Sequence, residues 1–137
     1  MTMFHFENLI AFQKARGLVN HVYDLQDHFP PTEKWALGDQ IRRAAVSITS
    51  NVAEGMGRTS LKEQVHFLEI STGSLMEVYS QLLIAVDRKF ITQTDFDSIS
   101  SELQDVSKLI SGLRLSLIKK QLTQNQKSEQ EIRNSKL

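Results

Sequence analysis

An all-α fold, and within it a four-helix bundle, is what the sequence predicts, on three observations. The two prolines are adjacent, Pro30 and Pro31, so Asp39 to Lys120 runs without one, as long helices require. Apolar residues recur every three or four positions in four separate stretches, the period of one helix face rather than of a strand. The chain has 137 residues, 40% of them apolar and 23% charged, enough for one domain that buries about two thirds of its unfolded surface.

The first helix is expected from about Leu9 to His28, where Phe12, Ala15, Val19 and Val22 form one row and Leu18, Val22, Leu25 and Phe29 another. Phe29-Pro30-Pro31 ends it, because a residue before proline is pushed out of the helical region. Trp35, in the connector that follows, is expected to plug the end of the bundle.

The second helix is expected from about Gly38 to Glu54, with Leu37, Ile41, Ala45, Ile48 and Val52 on one stripe. Gly55-Met56-Gly57 should stop it by taking the left-handed conformation common after helix C-termini. Ser60-Leu61-Lys62-Glu63 reads as a capping box opening the third helix, which continues to about Arg88. That helix carries two apolar rows, Leu68, Leu75, Val78, Leu82 and Met76, Tyr79, Leu83, Val86, Phe90. Together they are wider than one core-facing stripe, and the surplus predicts self-association.

The fourth helix begins near Thr94, and Phe96, Ile99, Leu103, Val106, Ile110, Leu113 and Leu117 alternate threes and fours as a heptad seam does. Short connections between four amphipathic helices imply an up-down-up-down antiparallel bundle over residues 1–122. Residues 123–137 are polar and are expected to form a disordered tail.

Formal charge is zero, from 16 basic and 16 acidic residues, but it is unevenly spread. Lys34 to Lys62 holds five bases against two acids, Glu63 to Ile118 four against eight, and Lys119 to Leu137 five against two. The basic stretches are either a solvated surface or a phosphate-binding patch, for which Arg42, Lys62, Lys119 and Lys120 are the candidate nucleic-acid contacts. Of the neighbouring arginines, 100° apart on a helix, Arg42 is taken as the exposed one.

A polar row on the second helix, Gln40, Arg43, Ser47, Asn51 and Glu54, continues towards Arg58 and faces Ser71, Ser74 and Glu77 of the third. A structural hydrogen-bonded layer between the helices is the favoured reading, against a ligand or RNA contact or acid-base catalysis. With no cysteine, the chain has no disulfide, thiolate metal site or cysteine nucleophile. His5, His21, His28 and His66 lack the spacing of a metal helix, so neither catalytic residues, cofactor nor metal are expected. No signal or membrane-spanning segment is read, and a cytoplasmic location is expected.

The run Gln40-Ile41-Arg42-Arg43-Ala44-Ala45-Val46-Ser47-Ile48, then Ser50 to Gly55 and Gly57-Arg58, resembles the signature of the four-helix bundle proteins encoded within intervening sequences of bacterial 23S rRNA genes. Phe67-Leu68, Gly73-Ser74-Leu75, Glu77, Lys14-Ala15, Tyr23 and Phe29-Pro30 are similar to the same pattern, so the likeness spans about residues 6–120. Tyr79 stands where an acid is expected and Thr49 where proline is common. The resemblance implies a homopentameric ring without enzymatic activity. Accessory proteins of diversity-generating retroelements look similar in fold, and that likeness points to RNA binding or ribonucleoprotein scaffolding. The expected partners are therefore further copies of the chain, with RNA or DNA, or in the alternative a protein. Neither a membrane nor a small-molecule substrate is expected.

Overall fold

The computed structural model describes residues 2–136, so residues 1 and 137, the outer ends of the expected bundle and tail, lie outside the described residues. Four helices follow one another: α1 Ile10–Gln26, α2 Leu37–Met56, α3 Leu61–Asp87 and α4 Gln93–Ser135. Short 3-10 turns precede α1 (His5–Asn8) and α2 (Glu33–Trp35), and there is no strand among the described residues. Each helix packs on two others, α1 and α3 each lying against both α2 and α4.

The apolar stripes explain this packing. Leu18 and Val22 from α1, Ile41, Ile48 and Val52 from α2, Leu68, Leu75, Val78 and Leu82 from α3, and Ile99, Val106 and Ile110 from α4 are all but fully buried in one core. Burying each such side chain stabilises the fold by about 1.5–3 kcal/mol. Followed towards its C-terminus, α2 meets successively earlier residues of α3: Ser47 reaches Ser74, and Gly55 lies against Phe67. Similarly, Phe29 after α1 packs against Phe90 after α3 in a tilted pair, with ring centres 5.5 Å apart, while His21 of α1 bonds to Glu102 of α4.

Caps fix the ends. The Ser60 hydroxyl accepts from the Glu63 amide at 3.0 Å, and the Thr92 hydroxyl accepts from the Asp95 amide at 3.1 Å; these start α3 and α4. The C-terminus of α3 is a Schellman motif: the Phe90 amide donates to the Ala85 carbonyl and the Lys89 amide to the Val86 carbonyl. Lys89, at φ 63°, is the left-handed residue of that motif. Ahead of α1, the exposed Glu7 carboxylate accepts from the Met3 and Phe4 amides at 2.8 Å each. Those two bonds, Phe4's first, hold its carboxyl below the ordinary value of 4.5.

Three expectations are corrected. Gly57 ends α2 with φ −84°, and no described glycine has positive φ. Gly55 sits inside the helix, where a Cβ would stand 2.9 Å from that of Phe67, so its smallness serves close packing of α3 rather than a turn. Trp35 does not plug the bundle; it is 81% exposed. The position it was expected to fill is closed instead by Phe29, which is buried, and by Phe90 against it. Residues 123–135 are helical, continuing α4, because no proline or glycine follows Gly112 and Gln, Lys, Glu and Leu all favour helix.

Candidate nucleic-acid interface

The region of interest lies where α2 ends, α3 begins and α4 passes alongside. The turn from α2 to α3 is held by side chains that reach back across it. Arg58 Nη2 donates to Glu54 Oε1 at 2.8 Å, and its guanidinium lies 4.6 Å from the centre of the Phe67 ring. Gln64 then donates to the Arg58 carbonyl at 2.8 Å, tying the turn to the first turns of α3. This fixed corner carries Lys62, which is exposed.

Lys120 of α4 faces Lys62 across a polar cleft of about 480 Å³, whose walls also include Thr59, Ser60, Gln124 and Asn125. Lys119, one position and 100° earlier, lines an adjoining apolar groove with Leu115 and Ile118. Three of the four candidate cations thus gather at one end of the molecule, and two share a cleft. Two ammonium groups beside hydroxyl and amide side chains can neutralise and hydrogen-bond phosphate oxygens, and nothing in the set offers a nucleophile with an adjacent base.

Arg42 belongs elsewhere, which corrects its assignment as the exposed cation. Its side chain is 15% exposed, against 80% for Arg43. It donates to Gln26 Oε1 and, at 3.1 Å, to the Lys34 carbonyl, and it lies 3.6 Å from Asp39 and 5.9 Å from the centre of the Trp35 ring. Arg42 therefore fastens the connector between α1 and α2 to the start of α2. A helical rise of 1.5 Å per residue puts it about 21 Å from the Met56 end.

The polar row divides in the same way. Ser47 and Ser74 hydroxyls are 2.8 Å apart, Asn51 donates to the Ser47 carbonyl and hydroxyl at 2.8 and 3.0 Å, and the buried Ser71 hydroxyl donates to the Ile48 carbonyl at 2.8 Å. These four side chains form the layer between α2 and α3. The other members do not join it: Gln40 is exposed, Arg43 pairs with Asp39 at 3.1 Å, and Glu77 accepts from Gln81 on its own helix at 3.3 Å. Glu54 and Arg58 pair with each other at the corner. Among the described residues, no group of three or more His, Cys, Asp or Glu could hold a metal, and no helix is long and apolar enough to cross a membrane.

Gln124 and Asn125, which line the cleft, were hidden within the stretch expected to be disordered. The signal that could have found them is the unbroken helix-forming composition after Gly112.

Residues 7–112 match the family model described as 23S rRNA-intervening sequence protein. The chain belongs to that family. A crystal structure of a protein with unknown function from the S23 ribosomal protein family, from Bacteroides thetaiotaomicron VPI-5482, is similar in fold. Its TM-score is 0.72 at 19% identity, covering 77% of this chain and 98% of that one. No curated protein matches the chain. Within the family region lie the α2–α3 corner and Lys62; Lys119 and Lys120 lie past its end.

Proposed function

We propose that this protein is a non-enzymatic, up-and-down antiparallel four-helix bundle that assembles as a homo-oligomer and binds nucleic acid, RNA foremost, as a ribonucleoprotein scaffold in the cytoplasm. The observation that carries the reading is the meeting of Lys62 and Lys120 across one polar cleft. Binding there is electrostatic and weakly sequence-specific, since phosphate contacts position a strand without reading its bases. Membership of a family named for rRNA intervening sequences is consistent with it and does not by itself assign a ligand.

Self-association rests on the second apolar row of α3, of which Met76, Tyr79 and Leu83 are exposed, and on the exposed Leu115 and Leu122 of α4. Five copies is the number that the family resemblance supplies. In a ring each copy repeats the lysine pair, and repeated weak contacts on one polymer raise the effective affinity. The exposed apolar row also favours a second reading, an assembly that presents helices to a protein partner.

Recovering whatever co-purifies with the full chain, and identifying it as RNA, DNA or protein, separates the readings. RNA or DNA supports the proposal, while a stoichiometric protein with no nucleic acid overturns it in favour of the second reading. A preparation that also retains no RNA when it is added at low ionic strength overturns it too.

A further inference from the structure

Trp35 is the one tryptophan of the chain, and it is 81% exposed. It ends the 3-10 turn that joins α1 to α2, on the side of the bundle which those two helices form. The Arg42 guanidinium lies 5.9 Å from the ring centre, and Arg42 is itself fixed by Gln26 and the Lys34 carbonyl. That support holds the indole in place and leaves most of it open. An aromatic side chain buries about 150–250 Å² when it packs, and within the chain Trp35 recovers little of this.

α1 packs on α2 and α3 on α4, so the two pairs form opposite sides of the bundle. On the α3–α4 side runs a groove of about 350 Å³, walled by Leu75, Met76, Tyr79 and Leu103 and edged by Ser100 and Gln104. No charged residue lines it. Met76 and Tyr79 stand partly in water there, while the Ser100 hydroxyl is buried with no hydrogen-bond partner. A flat ring with one N–H donor is the complement of such a groove: the ring covers Met76 and Tyr79, and the donor satisfies the hydroxyl. The flexible Met76 thioether can shift to admit it.

The surroundings of Trp35 decide between a nucleic-acid base and a second copy as its partner. Asp27, Glu33 and Asp39 balance Lys34, Arg42 and Arg43, and Asp39 lies beside both arginines. No positive field remains there to hold the phosphates of a base stacked on the ring. Closing this neutral edge on an uncharged groove, in contrast, strands no unpaired charge away from water.

We propose that Trp35 of one copy enters the α3–α4 groove of the next, where its indole N–H donates to the Ser100 hydroxyl. The inference rests on the self-association reading above, which already puts Met76 and Tyr79 between copies, and it names the residue that covers them. A knob and a groove on opposite sides make a head-to-tail contact, which generates a ring when the rotation closes, whereas a two-fold pair needs one self-complementary patch. Phe29 and Phe90 place Trp35 at the end of the bundle where α3 stops, and Tyr79 lies about 12 Å before that stop at 1.5 Å per residue. Successive copies are therefore tilted.

The test uses the full chain, diluted while light scattering gives its mass and the fluorescence of its one tryptophan reports this contact alone. The emission is expected at shorter wavelength in the assembled protein, moving to that of an exposed indole as the mass falls to 15.6 kDa. Trp35→Ala and Met76→Asp should each raise the dissociation constant at least about tenfold, and Trp35→Phe, which keeps a ring but loses the N–H, should raise it less. Assembly of the wild type with the emission of an exposed indole, or an unchanged dissociation constant in Trp35→Ala, overturns the docking and leaves self-association standing. If the wild type has a concentration-independent mass of 15.6 kDa, both fall. Oligouridine that quenches Trp35 at unchanged mass assigns the ring to base stacking, which also overturns the docking. Both substituted residues are exposed, so circular dichroism of the variants should match wild type, and the wild-type emission tests the proposal without them.

Discussion

Arg42 and Arg43 have the same side chain and adjacent positions, and the structure gives them opposite tasks. Arg42 is wedged among Gln26, Asp39 and the Lys34 carbonyl, so Arg42→Ala leaves a buried acceptor and a carbonyl without a donor. It should lower stability by about 1–3 kcal/mol in urea unfolding and leave nucleic-acid affinity unchanged. Arg58→Ala removes a partly exposed ion pair and a cation–π contact, a loss of about 1–2 kcal/mol by the same measurement. Glu7 tests a charge effect. Its carboxyl is held below its ordinary value, so the stability it contributes is present above that value and is lost as pH falls through the lowered one. The melting temperature of Glu7→Gln should lie below wild type at neutral pH, and the gap should close in acid. Which arginine faces water was not legible in the sequence: a 100° step distinguishes faces, but the partners that bury one of them come from Gln26 and from the connector.

At the scale of elements, helix starts and the stops of α1 and α3 were legible to within two residues, whereas the role of the glycines at the end of α2 and the position of the end of α4 were not. Ser60 announces α3 through a bond to an amide three residues on, a local event that spacing reveals. Gly55 looked equally local, yet its reason is tertiary, the approach of Phe67. Gly55→Ala gains about 1 kcal/mol of helix propensity and forces α2 and α3 apart, for a net loss of about 1–2 kcal/mol in thermal unfolding. At the end of α3, a lysine occupies the left-handed position that glycine takes without strain. Lys89→Gly should raise stability by about 1 kcal/mol, read as a higher urea midpoint at unchanged slope. The polar layer was half legible. Ser47, Asn51 and Ser74 were found by helical spacing, whereas Gln40, Arg43 and Glu77 share the spacing but look outward or along their own helix.

For the molecule as a whole, the heptad seam of α4 made the bundle readable, and the same seam hid the helical extension beyond it. Apolar periodicity ends at Leu122, so a reading that equates helix with amphipathic helix stops there, while α4 continues on propensity alone. The consequence is a separation of surfaces. In the proposed function, exposed apolar side chains on α3 and α4 serve contact between copies, while Lys62 at the α2–α3 corner and Lys120 of α4 serve phosphate. Light scattering of the full chain should give a mass that is a multiple of 15.6 kDa. A concentration-independent monomer would remove the repetition on which useful affinity depends. The central claim, that the Lys62–Lys120 cleft binds nucleic-acid phosphates, is tested most directly by RNA affinity against salt for the wild type and for Lys62→Ala with Lys120→Ala. The account predicts weaker binding and a slope shallower by about 1.4 in the double variant. Equal affinity and equal slope in the two proteins would contradict it.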